Sequence, residues 1–215
     1  MMTEPTLILN IIRNRRSIRK FKKQPVEDEK ILLILEAARW APSSGNLQNW
    51  RFIVVRDPEK RKKLAEYSFN QPWVAEAPVV IVVLSDTKTV RYFYGERGEK
   101  LYAIQNTAAA IQNMLLMAHA LGLGSVWIGA FDEKKVKELL EIPEDYDVHA
   151  LVCIGYPNEN PKSERKELDE LVYWEKFGNK ERFEDWFPLY EKLQEYLKDL
   201  NKLKEQIKKI KDLIP

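Results

Sequence analysis

The run Arg15-Arg16-Ser17-Ile18-Arg19-Lys20-Phe21 gathers three guanidinium groups, a hydroxyl and an ammonium within seven residues. A guanidinium presents a planar fork of N–H donors that suits a phosphate, and a serine hydroxyl adds one more donor. A second basic pair, Lys162 and Arg165, stands far downstream, just after a strand-like segment. The two groups could converge on one phosphate. Each also reads as a solvated charge run. Pro42-Ser43-Ser44-Gly45-Asn46-Leu47-Gln48 is a loop of small hydroxyl and amide groups between a helical and an extended segment. Such a loop offers both donors and acceptors to a planar heterocycle. Trp127-Ile128-Gly129 ends another extended segment beside a glycine, where backbone can approach a ring closely. Gln105, Asn106 and Asn113 add amides from a long helical segment, where they also read as exposed positions.

Other chemistries find little support. The sequence lacks GxxxxGK[ST], so it has no phosphate loop of the ATPase type. Gly122-Leu123-Gly124 lacks the third glycine of a dinucleotide fingerprint. His119 and His149 stand far apart, and Cys153 is the one cysteine, so no zinc cluster can be spaced out. Cys153 lies in Leu151-Val152-Cys153-Ile154 and reads as an inert core thiol; His119 reads as a packed or surface group. No GxSxG nucleophile elbow is present. An enzyme so equipped would leave the hard chemistry to a cofactor.

The 215 residues suit one domain with a tail, and 45% apolar content with 32% charged residues argues for a globular chain. Lysine and arginine total 35 against 33 acids, a net charge of +2 that predicts no general nucleic-acid binding. No apolar run approaches the roughly 20 residues of a membrane span, and the N-terminus has no secretory pattern, so the expected location is cytoplasmic.

Hydrophobic period and punctuation place helices over 6–16, from 27 to about 40, over 58–67, over 101–121 and over 132–140. Strands are expected over 50–55, 78–84, 125–128 and 148–156. The second of these, Val79-Val80-Ile81-Val82-Val83, is continuously apolar, as in a sheet covered on both faces. Residues 86–98 show no clear period and read as a mobile cover over a site. The architecture is therefore α+β, a sheet sandwiched by helices. A core domain over 1–187 precedes a heptad seam of Leu189, Leu193, Tyr196, Leu200, Leu203, Ile207, Ile210 and Ile214. Residues 188–215 are expected to form an extended amphipathic helix, packed on its own domain or crossing onto a partner.

Four blocks together resemble the nitroreductase family of FMN-dependent oxidoreductases. They are Arg15–Phe21, Ala41–Phe52, Leu121–Gly129, and Gly155-Tyr156-Pro157 with the downstream Arg165, in the family's order and spacing. The resemblance implies a nitroreductase-like helix–sheet–helix sandwich and a homodimer with FMN at the interface. By similarity, Arg15 and Ser17 hold the phosphate with Lys162 and Arg165, and Arg16 lies beside the ribityl chain or phosphate. Arg19 faces the pyrimidine edge of the ring. Pro42, Ser43, Ser44 and Asn46 reach the ring from the other subunit, with Gln48 near the same edge. Backbone groups of Trp127, Ile128 and Gly129 meet the N5 side. The chain departs from the family's pattern in two ways: Asn49 stands where proline is common, and Gln105 and Asn106 stand where an acidic residue is frequent.

The activity so implied is hydride transfer from NADH or NADPH through flavin N5 to a nitroaromatic, quinone, flavin or similar small acceptor, by a ping-pong scheme. The rival readings are a specialised dehalogenating or flavin-modifying enzyme, a non-catalytic flavin-binding protein, and an assembly module driven by the heptad seam.

Overall fold

The computed structural model of the protein describes residues 4–181. The chain divides into a unit ending at Ser163 and another beginning at Glu164. In the first, the elements run α1 (Glu4–Asn14), α2 (Asp28–Arg39), β1 (Trp50–Val55), α3 (Pro58–Tyr67), α4 (Pro72–Glu76), β2 (Val79–Ser85), α5 (Thr87–Arg97), α6 (Ala103–Ala120), β3 (Gly124–Ile128), α7 (Glu133–Leu140) and β4 (Asp147–Gly155). Among the described residues of the second unit, the short helix α8 (Leu168–Leu171) is opened by a reciprocal capping box between Glu167 and Glu170. The expected boundary at residue 187 and the heptad helix lie outside the described residues. No helix among the described residues is long and apolar enough to cross a membrane.

The four strands form one antiparallel sheet in the order β1-β2-β4-β3. Alternate side chains of a strand point to opposite faces, so a sheet covered on both sides must be apolar on both. β2 satisfies this along its whole length, every residue being buried. One face, with Val79, Ile81, Val83, Ala150, Val152 and Ile154, packs on α2 and α6. The other, with Val80, Val82, Leu151, Cys153, Val126 and Ile128, packs on Leu64 and Ala65 of α3, Val74 of α4 and Val136 of α7. The helix–sheet–helix sandwich expected from the sequence is the fold observed. Cys153 is fully buried, and burial pushes its thiol pKa up, so it stays protonated and unreactive.

Two elements differ from expectation. The aperiodic stretch over 86–98 is a helix, α5, capped by Asp86, whose Oδ1 accepts from Thr89 N at 3.0 Å. It breaks at Gly95 (φ 62°) before a π turn over Gly98–Tyr102 that leads into α6. Its apolar period is hidden because Tyr92 is 84% and Phe93 60% exposed. The short α4 was not foreshadowed; a proline at its first turn and only five residues give a weak signal.

Outside the sheet proper, the Arg15–Phe21 run touches the free edge of β3 at Ser125 and continues beside the residues that follow β4. Ile18 N donates to Ser125 O at 3.0 Å, Lys22 N to Tyr156 O at 2.9 Å, and Asn158 N to Lys20 O at 2.9 Å. Two glycines permit this approach. A Cβ added at Gly124 would lie 2.8 Å from the Ile18 Cβ, and one at Gly155 would lie 2.9 Å from the Phe21 ring and 2.5 Å from Pro78. Ile18 and Phe21 are packed in the second core and cannot yield. Gly124→Val should therefore cost about 1–3 kcal/mol of stability, as overpacking does. Urea unfolding checks it, and an unchanged midpoint would mean that the edge is looser than described.

His149 occupies a bulge in β4, where the pairing with β2 skips from Val83–Ala150 to Leu84–Val148. The Thr107 hydroxyl lies 2.8 Å from His149 Nδ1 and also faces the carbonyls of Ala103 and Ile104. Burial lowers the His149 pKa from the ordinary 6.5, against the opposing pull of Asp147 and Glu133. The unfolded chain thus binds this proton more readily than the folded one. Stability contributed at neutral pH and above should fall as pH drops below 6.5 towards the lowered value. In His149→Gln, the loss of thermal midpoint on going from about pH 7.5 to about pH 5.5 should be smaller than in the wild type.

Candidate functional site

Pinning the run to β3 sorts its side chains. Ile18 and Phe21 enter the core, while Arg15, Arg16 and Ser17 are half-buried and Arg19 is exposed. Arg16 turns its Nη1 back onto the carbonyls of Arg13 and Arg15, closing the C-terminal end of α1. The Arg19 guanidinium lies 5.6 Å over the Trp73 ring. Glu159, an acid with no distinguishing motif around it, places one carboxylate oxygen on two successive backbone donors, Arg19 N and Lys20 N, the second at 3.1 Å. Two adjacent N–H groups beside cationic side chains thus hold an anion in this structure. Lys162 is exposed in the loop beyond β4.

A turn between α3 and α4 joins this run to the far end of β3. Gln71 Nε2 donates to Ser68 O at 2.9 Å and to Ala130 O at 3.2 Å, and Asp132 N donates to Tyr67 O at 2.8 Å. Between these ties, Phe69 (φ 55°) and Asn70 (φ 59°) both adopt the left-handed region. Two consecutive non-glycine residues there are strained, and both are exposed. They lie between Trp73, under Arg19, and Ala130, next to Gly129. Sequence reading missed them, because Asn70-Gln71-Pro72 signals only a turn.

At the end of β3, Trp127 is 38% exposed and Ile128 is buried. A Cβ added at Gly129 would meet nothing within 4 Å, so its backbone faces open space. From Ser125 beside the basic run to Trp127–Gly129 is a rise of two to four residues, roughly 7–13 Å along a strand.

The Ser43–Gln48 loop is built separately. Gly45 (φ 53°), Asn46 (φ 56°) and Gln48 (φ 48°) all take left-handed backbone. Ser43 Oγ accepts from Gln48 N at 3.0 Å, and Gln48 Nε2 donates to Asn46 O and Oδ1, each at 3.1 Å. Pro42 and Asn46 are exposed, while Ser43 and Ser44 are half-buried. The loop is bracketed by Ala41 and Trp50, which belong to the core of α2 and α6, whereas Ile18 and Phe21 belong to the core of α3, α4 and α7. The structure therefore sets Ser17 and Ile18 beside Ser125, on the same strand as Trp127–Gly129, and roots the loop in the opposite layer of the sandwich. Arg165 belongs to the second unit, where its Nη1 donates to Glu164 O at 2.7 Å.

Comparison with known proteins identifies the family. The sequence profile described as the Nitroreductase family matches residues 12–76 and 67–156. A protein of Thermus thermophilus named NADH dehydrogenase is 38% identical over 188 residues, covering 74% of this chain and 92% of the relative. Among solved structures, nitroreductase A from Vibrio parahaemolyticus superposes with a TM-score of 0.74 at 29% identity, covering 83% of this chain and 78% of the other. The NADPH:FMN oxidoreductase from Vibrio harveyi, solved with NAD+, gives a TM-score of 0.73 at 28% identity, with 90% of each chain covered. With the profile spanning the whole sheet and the basic run that borders it, the chain belongs to the nitroreductase family.

Proposed function

We propose that the protein is an NAD(P)H-dependent oxidoreductase that binds FMN with its phosphate on the Arg15–Arg19 run and its ring towards Trp127–Gly129. The observation that carries this reading is a cationic segment pinned along β3, with an open backbone edge at Gly129. The residues fit the cofactor. The run already satisfies a carboxylate through consecutive N–H groups, and the backbone at Gly129 is uncovered on its Cβ side. Relatives supply the cofactor's identity: the FMN reductase [NAD(P)H] of Bacillus subtilis is 28% identical over 205 residues, and the Vibrio harveyi protein is titled for NADPH and FMN.

Arg15 and Ser17 would hold the phosphate, with Lys162 adding charge, and Arg16 would flank it. Arg19, steadied over Trp73, would place its cation at the pyrimidine edge, where reduction develops negative charge. The backbone of Trp127, Ile128 and Gly129 would orient the N5 side. FMN held there would supply two-electron redox chemistry between a reduced nicotinamide and an acceptor sharing the same site. Solvent reaches this edge and can deliver protons, so no side-chain acid is required. A nitroaromatic, quinone or free flavin is the acceptor class proposed.

The loop's place in the opposite layer supports a homodimer in which Pro42, Ser43, Ser44, Asn46 and Gln48 of a second copy complete the ring site. An apolar surface supports it as well. Ile8 and Ile12 of α1 and Leu32 and Leu33 of α2 are exposed, Trp40 is 73% exposed, and a groove of about 240 Å³ runs between α1, α2 and α6.

Anaerobic titration with NADH, then NADPH, should bleach the absorbance of bound FMN. A protein that binds no FMN, or binds it without reduction by either nicotinamide, would overturn the reading. Arg15→Ala should weaken FMN binding by about 2 kcal/mol, roughly 30-fold, the worth of a charge-assisted phosphate contact. Fluorescence quenching of free FMN measures it.

A further inference from the structure

Asn106 of α6 and Asn49 before β1 are far apart in sequence, yet their side chains meet within the core of α2 and α6. Asn106 is 5% exposed and Asn49 2%. Asn106 Oδ1 accepts from Ser44 N at 3.0 Å, and its Nδ2 donates to Ser44 Oγ at 3.0 Å and to Asn49 Oδ1 at 2.7 Å. Asn49 Nδ2 donates onward to Ser85 Oγ at 2.8 Å, which Thr87 Oγ1 also approaches at 3.0 Å. The Asn49 backbone carbonyl accepts from Asp86 N at 2.7 Å. The orientation of the Asn106 amide is settled by these partners, since only its oxygen can receive the Ser44 N–H.

A buried amide is tolerated only when it is bonded, and deleting one partner strands the others. Here one side chain on a rigid helix grips both ends of the loop, Ser44 at its start and Asn49 at its exit. Between these two points the backbone passes three times through the left-handed region, at Gly45, Asn46 and Gln48. Such a conformation persists only where the surroundings over-determine it. Loop-internal bonds of Ser43 and Gln48 do not attach the loop to the core; the asparagine pair does. The Tyr94 hydroxyl stands against the outer side of Gly45, where a Cβ would lie within 2.3 Å of it.

We infer that Asn106 and Asn49 are positioning residues for flavin binding: they hold the Ser43–Gln48 loop in the shape it presents to the ring, without themselves reaching the ring. The inference rests on the FMN reading above. A merely structural role would lower the stability of the whole core, whereas positioning acts on the loop and on the ligand.

The test uses the full-length protein and the variants Asn106→Ala, Asn49→Ala, their double, and Asn106→Asp. An aspartate can accept the Ser44 N–H and, once the Asn49 amide rotates, its Nδ2 as well, so it serves as the conservative rescue. FMN dissociation constants come from fluorescence quenching. Hydrogen exchange of residues 44–48 and of β2 is followed in flavin-free protein. Each alanine variant should weaken FMN binding at least about 10-fold, with the double no worse than about 3-fold beyond the weaker single, because the two side chains form one connection. Asn106→Asp should recover affinity to within about 3-fold of the wild type. In flavin-free protein, exchange over 44–48 should quicken while β2 keeps its protection. Alanine variants that bind FMN within about twofold of the wild type overturn the positioning role and leave the FMN reading standing. Equal loss of protection in loop and β2 also overturns it, in favour of a structural role. A wild type that takes up no FMN overturns the FMN reading, and the inference falls with it.

Discussion

The hydrogen bond from Ile18 N to Ser125 O, made over the missing side chain of Gly124, fixes where every cation of the N-terminal run can go. An arginine side chain is long and flexible, and three of them on a free segment would scatter into water and repel one another. At 4 Å that repulsion is about 1 kcal/mol per pair in bulk water and several times larger at a protein surface. Docking the backbone at Ser125 and burying Ile18 and Phe21 removes the freedom of the run, leaving Arg15, Arg16 and Ser17 half-buried and Arg19 exposed. Glu159 shows the consequence, as a carboxylate settles on the two amides flanked by Arg19 and Lys20. The affinity of this edge for anions follows from its geometry, since the chain as a whole carries a net charge of only +2.

The sheet acts as a partition. Because both of its faces are covered by helices, polar groups able to meet a ligand must lie at strand ends and along its edges. One set gathers along β3, from Ser17 to Gly129, and the other is rooted beside β1 over α6. The order β1-β2-β4-β3 puts those strands at opposite edges of the sheet. In the homodimer proposed, a ring served by both sets would draw on a second copy, which could cover the exposed apolar residues of α1 and α2.

Much of this was legible in the sequence. Four strands appear where runs of β-branched residues end in Gly, Pro or Asp, and α6 appears because its alanine-rich face keeps a helical period. The cationic run and the small-residue loop were legible as chemistry, since their residue types have few other uses at that density. What stayed hidden depends on contacts across the sequence. Asn49 read as a departure from a family pattern, and Asn106 as that and as one amide of a helical segment; nothing local reveals that the two meet. Glu159 is one acid among many until the fold brings it to Arg19 N. Phe69 and Asn70 are ordinary residues until their backbone is seen to be strained between two ties. Helix α5 escaped recognition because it buries little: only Thr87 and Val90 of its residues are in the core.

That weakness of burial makes α5 informative. Its first turn is held by the Asp86 cap and by the bond from Asp86 N to Asn49 O, so its origin is tied to the loop's exit. Its last turn breaks at Gly95 and passes into a π turn, a geometry rarely kept without a reason. Between these ends, Tyr92 and Phe93 face solvent, while Tyr94 turns back, edge-on to Tyr102 at 5.5 Å and against Gly45. A change in the tilt of α5 would thus press on the Ser43–Gln48 loop at two points, its exit and its apex. Residues that touch no ligand can alter the shape of the loop by this route, so this segment of the chain can vary in composition while the basic run on β3 stays in place.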